Sequence, residues 1–171
     1  MLKIKYDIVG SFLRPQEKKE AKLEERKRKV EDQEIEKLVA KEIEHGLKIV
    51  TDGEFRRRWW HLDWLKEFDG FTTKHLEKER NGHVNKIELG MVCGKISYDR
   101  SANHPEIQAW DFLYNLVKKY PGVEAKKCIS GPNMILVDHF LQLGLKEIPY
   151  YGTDLNALID DIALAYQEAI K

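Results

Sequence analysis

The segment from Gly46 to Trp60, GLKIVTDGEFRRRWW, constrains the fold of this chain more than any other part of the sequence. Its mostly apolar run, residues 47–50, stops abruptly at the acidic turn Asp52-Gly53-Glu54. Buried strands of parallel sheets have such short apolar runs, and in parallel α/β folds the functional groups follow the carboxyl ends of the strands. The segment therefore predicts a buried parallel strand, with a carboxylate just beyond it that can meet a ligand.

Strand-like and helix-like patterns alternate along the rest of the chain. Besides residues 47–50, strands are predicted at residues 3–9, 91–98 and 123–129. Helices are predicted at residues 30–45, 57–69, 105–120, 133–143 and 154–169. Gly46 is the expected C-terminal cap of the first, and Thr153 or Asp154 is the expected N-terminal cap of the last. This alternation implies a parallel sheet with right-handed crossovers. It fits a barrel or an open doubly wound sheet, although no GxGxxG or P-loop motif supports a nucleotide-binding open sheet.

Two segments interrupt the alternation. Residues 70–90 contain Asn81-Gly82, a strong turn signal, and predict a β-hairpin excursion. Residues 15–34 are highly charged, and acids and bases alternate along them with few apolar residues between. Such a pattern is typical of a solvated helical arm and argues against a nucleic-acid-binding segment.

Composition excludes several classes of protein. The 171 residues carry 29 basic and 29 acidic side chains, so the formal net charge is zero, whereas a large nucleic-acid surface needs a basic excess. The sequence contains neither the apolar core of a signal peptide nor a run long enough to span a membrane. Cys93 and Cys128 lack a CxxC spacing. We therefore expect a cytoplasmic protein with two reduced thiols and no nucleic-acid or membrane partner.

The predicted strands end in residues suited to ligand binding. These ends are Gly10-Ser11, Asp52-Gly53-Glu54, Asp99-Arg100 and Ser130-Gly131-Pro132. Glycine lets a ligand approach the backbone closely, and free N–H groups there can bind a carboxylate. Glu54 has two roles open to it: accepting hydrogen bonds from a substrate amine, or pairing structurally with one of the three arginines that follow it.

No complete metal site is predicted within this chain. A zinc site needs three or four converging ligands. The six histidines and two cysteines form no HxxxH, CxxC or HxC cluster.

Two stretches resemble the cobalamin-independent methionine synthase family, in particular its short, single-barrel bacterial relatives. The first is Ile8-Val9-Gly10-Ser11-Phe12 followed by Arg14-Pro15, and the second runs from Gly46 to Arg57. Two weaker similarities are Ile129-Ser130-Gly131-Pro132 and the stretch 162–168. The resemblance covers nearly the whole chain in order.

The resemblance implies a (β/α)8 TIM-type barrel, of which residues 1–171 would be the N-terminal half in a single partial domain of about four βα units. It implies 5-methyltetrahydropteroyltriglutamate–homocysteine S-methyltransferase chemistry, in which homocysteine becomes methionine with a methyl-folate donor and a catalytic zinc. Homocysteine would be held by Val9, Gly10 and Ser11 through its carboxylate and by Glu54 through its amine.

The family's zinc ligands lie on later strands of the barrel, so we expect this chain alone to bind no zinc and to be inactive. Half a barrel leaves strand edges and a core face uncovered. We therefore expect a homodimer or association with a missing C-terminal half. Two alternatives remain open: a non-catalytic ligand-binding or oligomerising remnant, and another methyltransferase or decarboxylase of a related barrel family.

Overall fold

The computed structural model describes residues 6–16, 24–80, 83–137, 139–140, 144 and 147–171. Its elements are α1 (Glu24–Glu44), β1 (Ile49–Val50), α2 (Leu62–Leu65), β2 (Asp69–Arg80), β3 (His83–Ser97), α3 (Pro105–Val117), β4 (Glu124–Ala125), α4 (Met134–Val137) and α5 (Leu155–Ala169). The chain divides into two compact units. The first unit comprises residues 1–58 and 105–128, and the second comprises residues 59–104 and 129–171. A single domain over residues 1–171 stays a prediction.

Helix α1 of the first unit merges two predicted segments, the end of the charged arm and the periodic helix that follows it. Residues 17–23 of the predicted arm, 15–34, lie outside the described residues. The apolar stripe of α1 is buried as predicted: Ile35 and Val39 have no solvent-accessible surface and pack in the core of this unit.

Gly46 ends α1 as the sequence predicts. Its φ is +89°, a conformation that glycine adopts without steric cost. The Gly46 N–H donates to the Ile43 carbonyl at 2.9 Å, and the Leu47 N–H donates to the Glu42 carbonyl at 3.0 Å. These two bonds form a Schellman motif, which turns the chain directly into β1.

Strands β1 and β4 form a two-stranded parallel sheet, with Ile49 opposite Glu124 and Val50 opposite Ala125. Both are shorter than the predicted segments, 47–50 and 123–129. Helix α3, which starts at Pro105 as predicted, buries Leu113 against the stripe of α1.

The predicted first strand, 3–9, is wrong over its described part. Residues 1–5 lie outside the described residues, and residues 6–9 belong to no strand. The physical reason lies in Lys126, just beyond β4: its ammonium pairs with the Asp7 carboxylate and donates to the Ile8 carbonyl. That carbonyl thus bonds a side chain instead of a neighbouring strand.

The second unit is built on a long antiparallel hairpin of β2 and β3, in register from Phe71 opposite Val92 to Arg80 opposite His83. The predicted hairpin at residues 70–90 is confirmed, although Asn81-Gly82 lies outside the described residues. The predicted third parallel strand, 91–98, is wrong: this stretch continues β3 and pairs antiparallel with the start of β2. Residues 83–97 pair with β2 over most of their length, so one strand runs where two were expected.

Aromatic side chains form the core beside this hairpin. Trp64 of α2 and Phe68 are buried, with ring centroids 5.6 Å apart, and Phe68 stacks on Tyr166 of α5 at 4.9 Å. The predicted helix at 57–69 contracts to one turn, α2. Trp60, placed on the same buried face by the sequence, is 55% exposed because the chain is not helical at that residue.

The last helix confirms its predicted cap. Asp154 precedes α5, and its Oδ1 accepts a hydrogen bond from the Ala157 N–H at 3.0 Å. Of the helix predicted at 133–143, α4 is present, and residues 138 and 141–143 lie outside the described residues.

We expect Asp154→Ala to lower the free energy of unfolding by about 1 kcal/mol, because it removes the acceptor for an orphan N–H of the first helical turn. Urea denaturation measures the change. Asp160→Ala is the matched control, since Asp160 is exposed in the same helix. Equal effects of the two substitutions would contradict the capping role.

The predicted α/β class is confirmed. Half of a barrel stays a prediction, because the described residues form one small parallel and one small antiparallel sheet. None of the helices in the described part combines the length and the hydropathy that crossing a bilayer requires.

Candidate functional site

Charged side chains gather in the first unit beyond the carboxyl ends of β1 and β4. The residues that line this depression are Asp52, Glu54, Arg56, Arg57, Glu106, Lys127 and Cys128. The enclosed space measures about 10 Å³, which is room for one water molecule. A larger ligand therefore has to displace contacts that these side chains make with each other.

The turn after β1 has an unusual backbone. Gly53 and Glu54 both lie in the left-handed region, with φ of +63° and +56°. For a residue with a side chain this conformation costs about 1–2 kcal/mol. The Asp52 carboxylate accepts a hydrogen bond from the Glu54 N–H at 2.9 Å and so stabilises the turn. Strained residues of this kind cluster at functional sites.

The carboxylate of Glu54 forms an ion pair with Arg57, and both side chains are largely buried. Arg57 also donates from Nη1 to the Cys128 carbonyl at 3.1 Å. Of the two roles that the sequence left open for Glu54, the structural ion pair is therefore present. A ligand amine would have to exchange with Arg57 to reach the same carboxylate.

A second group of charges lies beside this pair. The Lys127 ammonium is 2.7 Å from Glu106 Oε2 and 3.8 Å from Asp52 Oδ2. Together with the pair above and with Arg56, the depression holds three carboxylates and three cations. Such a balanced site offers partners to both ends of a zwitterion, whereas a ligand with one net charge would leave one group unpaired.

The predicted N-terminal motif lies next to the turn. The Phe12 N–H donates to the Gly53 carbonyl at 3.1 Å, so the residue that follows Ser11 contacts the residue that precedes Glu54. Val9 is 79% exposed. Gly10 has a φ of +93°, and a Cβ built on it would meet no atom within 4 Å.

Arg56 has a different role from Arg57. Its Nη2 is 2.6 Å from Asp32 Oδ1 on α1, and its guanidinium lies 4.7 Å from the centre of the Phe112 ring. These contacts tie the segment after the turn to α1 and α3. Arg56 thus stabilises the unit, and Arg57 is the arginine in contact with Glu54.

Glu42 of α1 contacts Thr51, the residue directly before the turn. Only 4% of Glu42 is exposed, and its carboxylate accepts hydrogen bonds from the Thr51 N–H at 3.0 Å and from the Thr51 hydroxyl at 3.1 Å. Burial raises the pKa of Glu42, and the two bonds from Thr51 oppose that rise without cancelling it. The charge of Asp52 also raises the pKa, and Lys126 lowers it.

This raised pKa gives a pH dependence with a definite sign. Between the ordinary glutamate pKa of 4.5 and the raised pKa, the folded chain keeps a proton on Glu42 that the unfolded chain has lost. We therefore expect the free energy of unfolding of the natural chain to fall, relative to Glu42→Gln, as pH rises from 4.5 through the raised pKa. Urea titrations of both proteins at several pH values measure it, and a rise of the difference would contradict the assignment.

Two of the predicted strand ends lie elsewhere. Asp99-Arg100 follows the antiparallel strand β3. Strand β4 ends at Ala125, well before Ser130-Gly131-Pro132, and those three residues belong to the second unit. The residues just beyond β4 are therefore Lys126 and Lys127. Lys127 and Glu106 were not predicted from the sequence, although an acid in the first turn of the helix at Pro105 was a usable signal for Glu106.

The described residues contain no group of three or more His, Cys, Asp or Glu side chains that fits a metal ion. Cys93 and Cys128 are both free thiols, as predicted.

Comparisons with known proteins place this chain among bacterial relatives, although no protein-family model matches it. Two uncharacterized proteins of Bacillus subtilis (strain 168), YxjG and YxjH, are 34% and 33% identical to it over 175 residues, covering 96% of this chain and 43% of each relative. A crystal structure from Listeria monocytogenes, of a protein provisionally named a vitamin-B12-independent methionine synthase, is 33% identical with a TM-score of 0.70. The alignment covers 96% of this chain and 46% of that protein. This chain is thus similar, over nearly all of its length, to less than half of a methionine-synthase-like protein.

Proposed function

We propose that this chain belongs to the cobalamin-independent methionine synthase family and supplies the homocysteine-binding half of an S-methyltransferase site. The hydrogen bond from Phe12 to Gly53 carries the proposal. It joins the two motifs that resemble the family beyond the carboxyl end of the parallel strand β1, and α/β enzymes bind substrates at such strand ends. The similarity to the Listeria monocytogenes protein supports it.

In this proposal an amino acid is bound at both of its ends, by Glu54 of the depression and by the N-terminal motif Val9-Gly10-Ser11. Glu54 accepts hydrogen bonds from the ammonium group, after Arg57 has moved away from it. The backbone N–H groups of Gly10 and Ser11 bind the carboxylate, and Val9 lines the approach. The left-handed conformation of Glu54 is then retained for function, because it aims the carboxylate into the site.

The methyl transfer itself needs groups that we assign elsewhere. Zinc, when bound to the family's enzymes, activates the homocysteine thiol by stabilising its thiolate. The described residues of this chain do not form a fitting set of ligands, so no step of the proposal passes through zinc here. Methyl-folate is the proposed donor, and the proposed partner is a C-terminal half or a second copy of this chain. We place the protein in the cytoplasm, where its free thiols stay reduced.

Calorimetric titration of the chain with L-methionine tests the proposal. We expect binding, and at least tenfold weaker binding of two analogues, methioninol without the carboxylate and 4-(methylthio)butanoate without the amine. Equal affinity for all three, or no binding of methionine, would contradict an amino-acid site. Methylation of homocysteine by the purified chain alone would contradict its dependence on a partner.

A non-catalytic binding module is the second candidate, because the balanced charges of the depression offer partners to an amino acid whether or not a reaction follows. Mixing the chain with the C-terminal part of the Listeria monocytogenes protein, zinc and methyl-folate separates the two. Methyl transfer to homocysteine that requires both polypeptides supports a catalytic half. Methionine binding without methyl transfer in the mixture supports the binding module.

A further inference from the structure

A carboxylate occupies a core position of α1. Ile35, Val39 and Glu42 follow the spacing i, i+4 and i+7, so they lie on one face of the helix, and all three are buried. The stripe calls for an apolar side chain at position 42. A carboxylate there has lost most of its contact with water, which is costly unless hydrogen bonds replace it.

Both hydrogen bonds of the Glu42 carboxylate go to one residue of the turn segment. Oε2 accepts from the Thr51 N–H and Oε1 accepts from the Thr51 hydroxyl. The Thr51 hydroxyl oxygen in turn accepts from the Gly53 N–H at 3.3 Å. A chain of hydrogen bonds therefore leads from the helix to the residue before Glu54.

Stability alone does not explain this arrangement. A buried charged group contributes little net stability compared with an apolar side chain that fills the same space. The carboxylate instead orients Thr51, because it accepts hydrogen bonds from the Thr51 backbone N–H and from the Thr51 hydroxyl at once. The hydroxyl then donates to Glu42 and accepts from Gly53, so the orientation of the turn depends on the carboxylate.

We propose that Glu42 is a positioning residue, which acts through Thr51 to hold the Gly53-Glu54 turn in its ligand-binding conformation. The ligand is that of the proposed function, so the effect of Glu42 on affinity rests on that function. The effect of Glu42 on the conformation of the turn does not depend on it. Glu42 touches no ligand. Its effect on affinity reaches the site only through the geometry of Glu54.

The test is a double-mutant cycle on the affinity for L-methionine. Glu42→Gln and Thr51→Val, which removes the hydroxyl at nearly constant volume, are each expected to weaken binding by about tenfold. Because both act through one chain of bonds, the double variant is expected to lose about tenfold as well, instead of about 100-fold. Thr51→Ser restores the hydroxyl and should keep the natural affinity. Glu44→Gln, an exposed acid two residues away on the same helix, should also have no effect.

Amide hydrogen exchange at Gly53 gives a readout that needs no ligand. Exchange should become faster in Glu42→Gln and Thr51→Val and stay natural in Thr51→Ser and Glu44→Gln. Unchanged exchange in Thr51→Val, or a multiplicative loss of affinity in the double variant, would overturn the proposal. If the natural chain binds no methionine, the proposed function fails and the exchange result alone decides the role of Glu42. If Glu42→Gln does not fold, the two Thr51 variants decide it.

Discussion

Glu54→Gln is expected to abolish most of the affinity for L-methionine, with a loss of about 2–4 kcal/mol, or roughly 30- to 1000-fold. The amide keeps the size of the side chain but cannot form a charge-assisted hydrogen bond with the ligand ammonium. The same change breaks the ion pair with Arg57. We therefore expect the free energy of unfolding to fall by about 1–2 kcal/mol as well. Calorimetry measures the first effect and urea denaturation the second.

Arg57→Gln separates the two roles of Glu54. If Glu54 serves only as the partner of Arg57, both variants lose similar stability and neither changes the methionine affinity. If Glu54 binds the ligand, Arg57→Gln is expected to bind methionine at least tenfold more tightly than Glu54→Gln, because the receiving carboxylate is still present. Glu36→Gln, an exposed acid of α1, controls for the loss of one negative charge.

Gly70→Ala is expected to destabilise the second unit by about 2–5 kcal/mol. Gly70 has a φ of +72° and lies at the irregularity of the hairpin between Asp69 and Phe71. A Cβ on Gly70 would lie 2.5 Å from the Lys95 carbonyl carbon and closer still to its oxygen. These atoms belong to the backbone of β3, so they cannot move aside without breaking strand pairing.

Gly94→Ala is the matched control, because Gly94 faces Gly70 across the same irregularity. A Cβ on Gly94 would contact the Gly70 Cα at 3.6 Å, an ordinary van der Waals distance. We expect the free energy of unfolding of this variant to lie within about 1 kcal/mol of that of the natural chain. Similar urea denaturation midpoints for the two variants would show that the hairpin tolerates a side chain at Gly70.

Local signals along the chain predicted the features that neighbouring residues determine. The cap at Gly46 depends on the φ of one residue and on two bonds within six residues, and the cap at Asp154 on a bond three residues away. The hairpin at residues 70–90 follows from alternation and a turn. The acidic turn after β1 was also predicted from neighbouring residues, because the short apolar run of β1 ends there.

These local signals did not predict which strands pair with each other. The pattern of residues 91–98 predicts a strand but fits both a parallel strand and the continuation of β3. Only the observed pairing with residues 69–80 selects the continuation of β3. Similarly, Lys127 and Glu106 are 21 positions apart in the sequence, but in the folded chain Lys127 Nζ is 2.7 Å from Glu106 Oε2. Their pairing follows from where β4 ends, which no local pattern marks.

The sequence by itself determined the three long helices α1, α3 and α5, the caps at Gly46 and Asp154, the hairpin and the Asp52-Gly53-Glu54 turn, because each arises from the conformational preferences of residues close together in the chain. Only the tertiary structure decided which strands pair and which side chains surround Glu54. Those outcomes depend on contacts between separate elements of the chain, such as Phe12 with Gly53 and Glu42 with Thr51. The buried carboxylate of Glu42 shows the difference most clearly: at its place in the helical stripe an apolar residue is expected, and the reason for an acid appears only where Thr51 packs against it.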